Sequence, residues 1–218
     1  MKGSPRARPV AATVFAHVLA AAVIALVLVW LLHFREGLAF SSHVKSKIFN
    51  IHPLLMIVGV ILIGGEAIMA YKTIPGERRV QKRVHFILHL LALLIGAIGI
   101  YAVFKFHEEL SIPHVYTLHS WLGIITIFLY GLQWLSSFLI FALPHSRTAT
   151  RAAVAPWHVF VGMVIFVLAI CTALMGLGEK FIFLKLQRSQ EALVVNFLGL
   201  LIILFGVSVV FGVSFSRL

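Results

Sequence analysis

Along the 218 residues, polar positions are gathered into short clusters that separate long apolar runs. Six such runs can be read, at about 10–32, 48–71, 84–104, 117–142, 157–177 and 192–214. Each is close to the roughly 20 residues a helix needs to cross a hydrocarbon core of about 30 Å. Helices are the natural assignment, because lipid offers no partner to an open strand edge. The pattern therefore predicts an all-α polytopic membrane protein, one transmembrane domain over residues 1–218 with six transmembrane helices. Composition agrees: 61% of residues are hydrophobic and 11% charged, with a mean hydropathy of +1.05, too apolar for a soluble globular domain.

The formal charge of +11 would suggest nucleic acid in a soluble protein. Here the cations sit in short loops between spans, so a nucleic-acid partner is excluded and the bilayer is the expected surroundings. Alternating the spans places Lys2, Arg6, Arg8, Lys72, Arg78, Arg79, Lys82, Arg83, Arg147, Arg151 and Arg217 on one side. Arg35, Lys45, Lys47, Lys105, Lys180, Lys185 and Arg188 fall on the other, so the expectation is cytosolic N- and C-termini. The first run follows a basic start but exceeds the usual length of a signal-peptide core, and is read as a retained anchor. Cys171 is alone, which leaves no disulfide or thiolate cluster; it is read as a small packing residue.

Four spans carry a histidine near their start: His52 in FNIHPLL, His85 in KRVHFIL, His119 in YTLHSWLG and His158 in PWHVF. A single histidine in such a place is commonly an interfacial residue. These four sort by alternation into two level-matched pairs, His52 with His119 and His85 with His158, one near each face. Helix starts disfavour imidazolium and keep a ring nitrogen free for a metal, and Pro53 and Pro156 suit first helical turns. Two nitrogens are too few for structural zinc, but they suffice where a porphyrin supplies four more. The expected architecture is two haems, each with two axial imidazoles, in a central four-helix bundle of spans two to five. A plan with two histidines per helix at 13 or 14 residues is excluded, since Glu66, Gln133, Cys171 and Thr172 stand at those offsets. His145 and His158 have the spacing, but Pro144 and Pro156 are expected to break any helix between them.

The motifs FN-x-HP, K-x-x-H, LHSWLG and PWHVF, in this order and on these spans, resemble the cytochrome b561 family, especially its plant members, over essentially the whole chain. The resemblance implies a transmembrane oxidoreductase with two haem b groups, passing electrons from cytosolic ascorbate to monodehydroascorbate or ferric chelate across the membrane. It implies axial ligands at His52, His119, His85 and His158, the haem-iron ligands of the two centres. His89, one turn beyond His85 on the same face, could serve on geometry alone; His85 is preferred for its place at a helix mouth and at the family's ligand position. Glu66 is expected to lie level with His89 and to interact with it. A homodimer, and a vacuolar, other endomembrane or plasma membrane location, are also implied.

A haem with both axial positions filled is suited to one-electron transfer. The run from His52 to Tyr71 covers roughly 28 Å, room for a centre near each face. Arg78, Lys82 and Arg151 are the expected ascorbate-binding residues at the basic face, Lys82 with a catalytic role; Arg79 and Arg83 are read as orientation and lipid contacts. At the opposite face Phe106, His107 and Tyr116 are expected to bind the acceptor, with His107 handling a proton. Gly59, Gly96, Gly99, Gly123 and Gly162 are expected to permit close helix approach. The rival readings are an ion or metal transporter relaying through His52, Glu66, His89 and His107, and a haem-bearing assembly or sensor subunit.

Overall fold

The computed structural model describes the backbone of residues 7–144 and 146–214. Lys2, Arg6, His145 and Arg217 lie outside the described residues, and the side chain of Arg8 with them. Among the described residues, six helices are long and apolar enough to span a membrane: α1 (Ala11–Phe34), α2 (Ser46–Thr73), α3 (Arg78–Glu109), α4 (Leu118–Ala142), α5 (Thr148–Phe183) and α6 (Gln190–Ser214). Among the described residues there is no strand. Helices α2 to α5 surround the interior that carries the four histidines, while α1 packs along α6, and this pair closes the bundle against α2 and α5.

α3 and α5, at 32 and 36 residues, extend well beyond their apolar runs, and α5 does so through Pro156. Two expectations about proline fall. Pro53 and Pro156 are not in first turns: both lie inside helices. Pro156 does not break α5, which runs through it from Thr148; α4 ends earlier in the chain, at Ala142. In α2 a π-helical stretch, Met56–Ile63, begins three residues after the proline.

The signature motifs mostly secure the ends of helices. Asn50, fully enclosed at 2% exposure, donates to the carbonyls of Arg35 (2.7 Å) and Gly37 (2.8 Å), pinning the α1–α2 connection. Thr117 caps α4 by accepting from the Ser120 amide at 3.2 Å, and the Ser120 hydroxyl also lies 3.0 Å from Thr117 Oγ1. Glu191 at the start of α6 accepts from Arg35 (2.6 Å) and Trp30 (2.8 Å) at the end of α1. Breaking such a buried pair costs about 3–5 kcal/mol. Trp121 and Trp157 point outward, as tryptophans do at a membrane interface, and Cys171 is also exposed on the outer surface rather than packed inside.

Candidate functional site

The interior histidines meet in two pairs. The rings of His52 (α2) and His119 (α4) are 6.1 Å apart, centroid to centroid, and those of His85 (α3) and His158 (α5) are also 6.1 Å apart. Two metal–imidazole bonds of about 2 Å, plus the distance from each nitrogen to its ring centre, span about 6 Å. The spacing is therefore that of two imidazoles on opposite sides of one metal ion.

Each ring is held by its Nδ1. His52 donates to the Gly99 carbonyl (3.1 Å), His119 to the Thr172 carbonyl (2.8 Å) and His85 to the Ala67 carbonyl (2.8 Å). His158 Nδ1 lies 2.9 Å from both the Gln133 side-chain amide and the Ser137 hydroxyl, which itself donates to the Gln133 carbonyl at 2.6 Å. A carbonyl only accepts, so at His52, His85 and His119 these contacts put the proton on Nδ1 and leave Nε2 with its lone pair, the form that binds a metal. The expected reason, proximity to a helix start, applies to His119 alone. His52 and His85 lie about two turns inside their helices and His158 about three, beyond the reach of the helix dipole.

A cavity accompanies each pair. One of about 530 Å³ holds His52 and His119, and a second of about 800 Å³ holds His85 and His158. Val60 and Ala169 line both, so the two spaces abut across a thin apolar wall. Both volumes are in the range that receives a cofactor, about 300–1,000 Å³. Among the described residues no three His, Cys, Asp or Glu side chains converge as metal ligands. Each site thus offers two axial nitrogens and an apolar slot, a donor set that fits a planar tetrapyrrole iron. Gly176 preserves that fit, since a Cβ there would lie 2.6 Å from His119 Cε1.

At the larger cavity Arg78 and Lys82 are on the lining, with Arg79 and Arg83, which sequence reasoning had assigned to lipid and orientation. Lys82 also donates to the Phe141 carbonyl. Arg151 is not on the lining: its guanidinium caps the end of α4, donating to the carbonyls of Ile140 (3.2 Å) and Leu143 (2.8 Å). Tyr71, not singled out from the sequence, stands between Arg78 (4.8 Å) and His85 (5.2 Å). Nothing in its spacing from His85 marks it. At the smaller cavity Phe106, His107 and Tyr116 all line the wall, as expected. His114, not singled out from the sequence, joins them by stacking on His107 (5.6 Å) and Phe104 (4.7 Å).

The expected contact between Glu66 and His89 is absent. Glu66 turns outward to His17 of α1 at 3.1 Å, while His89 bonds the Tyr130 hydroxyl at 2.6 Å inside the larger cavity. The two project from helix faces that point apart. A relay through His52, Glu66, His89 and His107 has no path here, because Glu66 lines neither cavity and His89 is separated from the other two.

Residues 51–184 match the model of the family described as eukaryotic cytochrome b561. The chain is 48% identical over 203 residues to a probable ascorbate-specific transmembrane electron transporter of Oryza sativa subsp. japonica, covering 91% of this chain and 87% of the relative. It is 44% identical over 213 residues to transmembrane ascorbate ferrireductase 1 of Arabidopsis thaliana, covering 96% and 89%. It is 37% identical over 203 residues to a transmembrane ascorbate-dependent reductase of Mus musculus, covering 90% and 80%. With its four motifs on the interior helices and two matched imidazole pairs, the chain belongs to the eukaryotic cytochrome b561 family.

Proposed function

We propose that this protein carries electrons one at a time across a membrane, from ascorbate at the basic face to monodehydroascorbate or a ferric chelate at the other. The observation that carries the reading is the pair of imidazole couples, each 6.1 Å across and each tethered at Nδ1. The names of the relatives support ascorbate as donor and ferric iron as acceptor. His52 with His119, and His85 with His158, would hold two haem b groups, which when bound would supply one-electron transfer. His89 is not a ligand in this reading, since His85 faces His158 and His89 is engaged with Tyr130.

Arg78 and Lys82 bind the ascorbate anion at the mouth of the larger cavity, with Tyr71 fixing Arg78. Arg151 acts at one remove, holding the end of α4 beside Lys82's own contact with Phe141. Phe106, His107 and Tyr116 receive the acceptor at the smaller cavity. His107 Nδ1 is tied to the Pro113 carbonyl at 3.1 Å, so Nε2 is the nitrogen that exchanges a proton with the acceptor. The larger count of cations on the side of Arg78 supports a cytosolic position for that cavity and both termini.

The test is the visible spectrum of the purified protein, with haem measured per chain, before and after ascorbate. Two b-type haems reduced promptly is the expected result. A well-folded chain, supplied with haem, that binds none would end the ligand assignment.

A further inference from the structure

Only one Lys or Arg lines the smaller cavity among the described residues: Lys180, near the end of α5. Its ammonium sits 3.6 Å from the centre of the Phe49 ring. Phe49 in turn meets Phe106 (5.1 Å) and His52 (6.2 Å), so the cation is one ring removed from both the acceptor wall and the His52–His119 pair.

The charge has no ion-pair partner of its own. None of the four ion pairs among the described residues includes Lys180. Glu191, whose charge it feels, is taken by Arg35 and Trp30, so two cations share one carboxylate there. Elsewhere at this end Glu109 engages Lys45 (2.6 Å) and Lys105 (3.8 Å). Glu179 lines the same cavity without pairing to its neighbour in sequence. A ring face offsets part of the cost of drawing an ammonium out of water, but it leaves N–H donors to be met. Donors that open on a ligand cavity are suited to an anion within it.

We propose that Lys180 is the anion-binding group of this cavity, donating to a carboxylate or enolate oxygen brought by its occupant. The inference rests on the function proposed above. Two sources share that chemistry: a propionate of the haem held by His52 and His119, or the anionic acceptor itself. The opposite cavity spreads such a task over Lys72, Arg78, Arg79, Lys82 and Arg83. Here one residue bears it, so one substitution removes it.

The experiment compares wild type, Lys180→Gln and Lys180→Arg in proteoliposomes loaded with ascorbate, with ferricyanide or hexaammineruthenium(III) as external acceptor. Potentiometric titration follows each haem. If the acceptor is the anion's source, Lys180→Gln raises the KM for ferricyanide about tenfold, spares the cationic acceptor and leaves both midpoint potentials unchanged. If a propionate is the source, the outer haem's midpoint falls, because a positive charge opposing the ferric state is gone, and both acceptors respond alike. Lys180→Arg restores wild-type behaviour in either case. The inner haem's spectrum reports folding; if Lys180→Gln disturbs it, Lys180→Met, which keeps the contact on Phe49, takes its place. Unchanged potentials and unchanged KM values for both acceptors overturn the inference and leave Lys180 as packing on Phe49. A wild-type chain without haem overturns the proposed function first, and this inference with it.

Discussion

The two cavities contain the same machinery behind different doors. In each, two imidazoles from different helices face one another at 6.1 Å. At the rims the likeness stops. The larger cavity opens through a cluster of cations on one helix start, whereas the smaller one opens through His107, His114 and Tyr116 with Lys180 as its single fixed cation. In the function proposed above, the interior does one thing at both ends, to hold an iron with two neutral nitrogens, while the rims discriminate, one admitting the donor and the other the acceptor. Even the tethers differ: His52, His85 and His119 use backbone carbonyls, while His158 meets the side chains of Ser137 and Gln133.

The hardest test of that symmetry is removal of a ligand. His52→Ala or His119→Ala should leave about half the haem, all of it at the inner pair, and His85→Ala or His158→Ala the reverse; each should abolish transmembrane transfer. Haem content and redox titration of the four variants would break the comparison if any one lost both centres or neither. Next in size is Gly176→Ala, whose Cβ would collide with the His119 ring and should weaken haem retention at the outer site by about 10–100-fold. Gly162→Ala is its control, meeting Gln133 Nε2 at an ordinary 3.5 Å, and should keep both haems.

Substitution of the rim should separate the doors. Arg78→Gln with Lys82→Gln is expected to raise the KM for ascorbate about tenfold, an effect that shrinks in high salt, with no change in acceptor KM. A smaller effect probes the one replaceable tether. Ser137→Ala removes one of the two side chains at His158 Nδ1, leaving Gln133, and by loosening that tether makes the imidazole a weaker donor; it should raise the inner haem's potential by on the order of tens of millivolts, with the outer haem unmoved. Smallest of all is Glu66→Gln. Its partner is His17 and it lines neither cavity, so both potentials and their pH dependence should stay at wild-type values.

Lys82 and Arg151 show how far a sequence pattern carries. Both were expected from the sequence to bind ascorbate, and both are at the same end of the bundle. Only Lys82 lines the cavity, because Arg151 spends its guanidinium on carbonyls left open where α4 ends. Tyr71 and His114 went unremarked for a related reason. Each is placed by a ring contact with a residue of another role, Arg78 and His107, and such a contact leaves no periodic trace in the chain.

The sequence by itself determined six membrane helices, because the cost of exposing backbone to lipid makes a long apolar run nearly unambiguous. It also determined which histidines share a level, since alternation across a bilayer leaves no other arrangement. Only the tertiary structure decided what each ring nitrogen touches, which way Glu66 and His89 turn, and which cation remains unpaired in a cavity. Those outcomes depend on the rotation of one helix against another, a few tens of degrees that carry a side chain from the interior to the lipid, and residues far apart in the chain fix that rotation together.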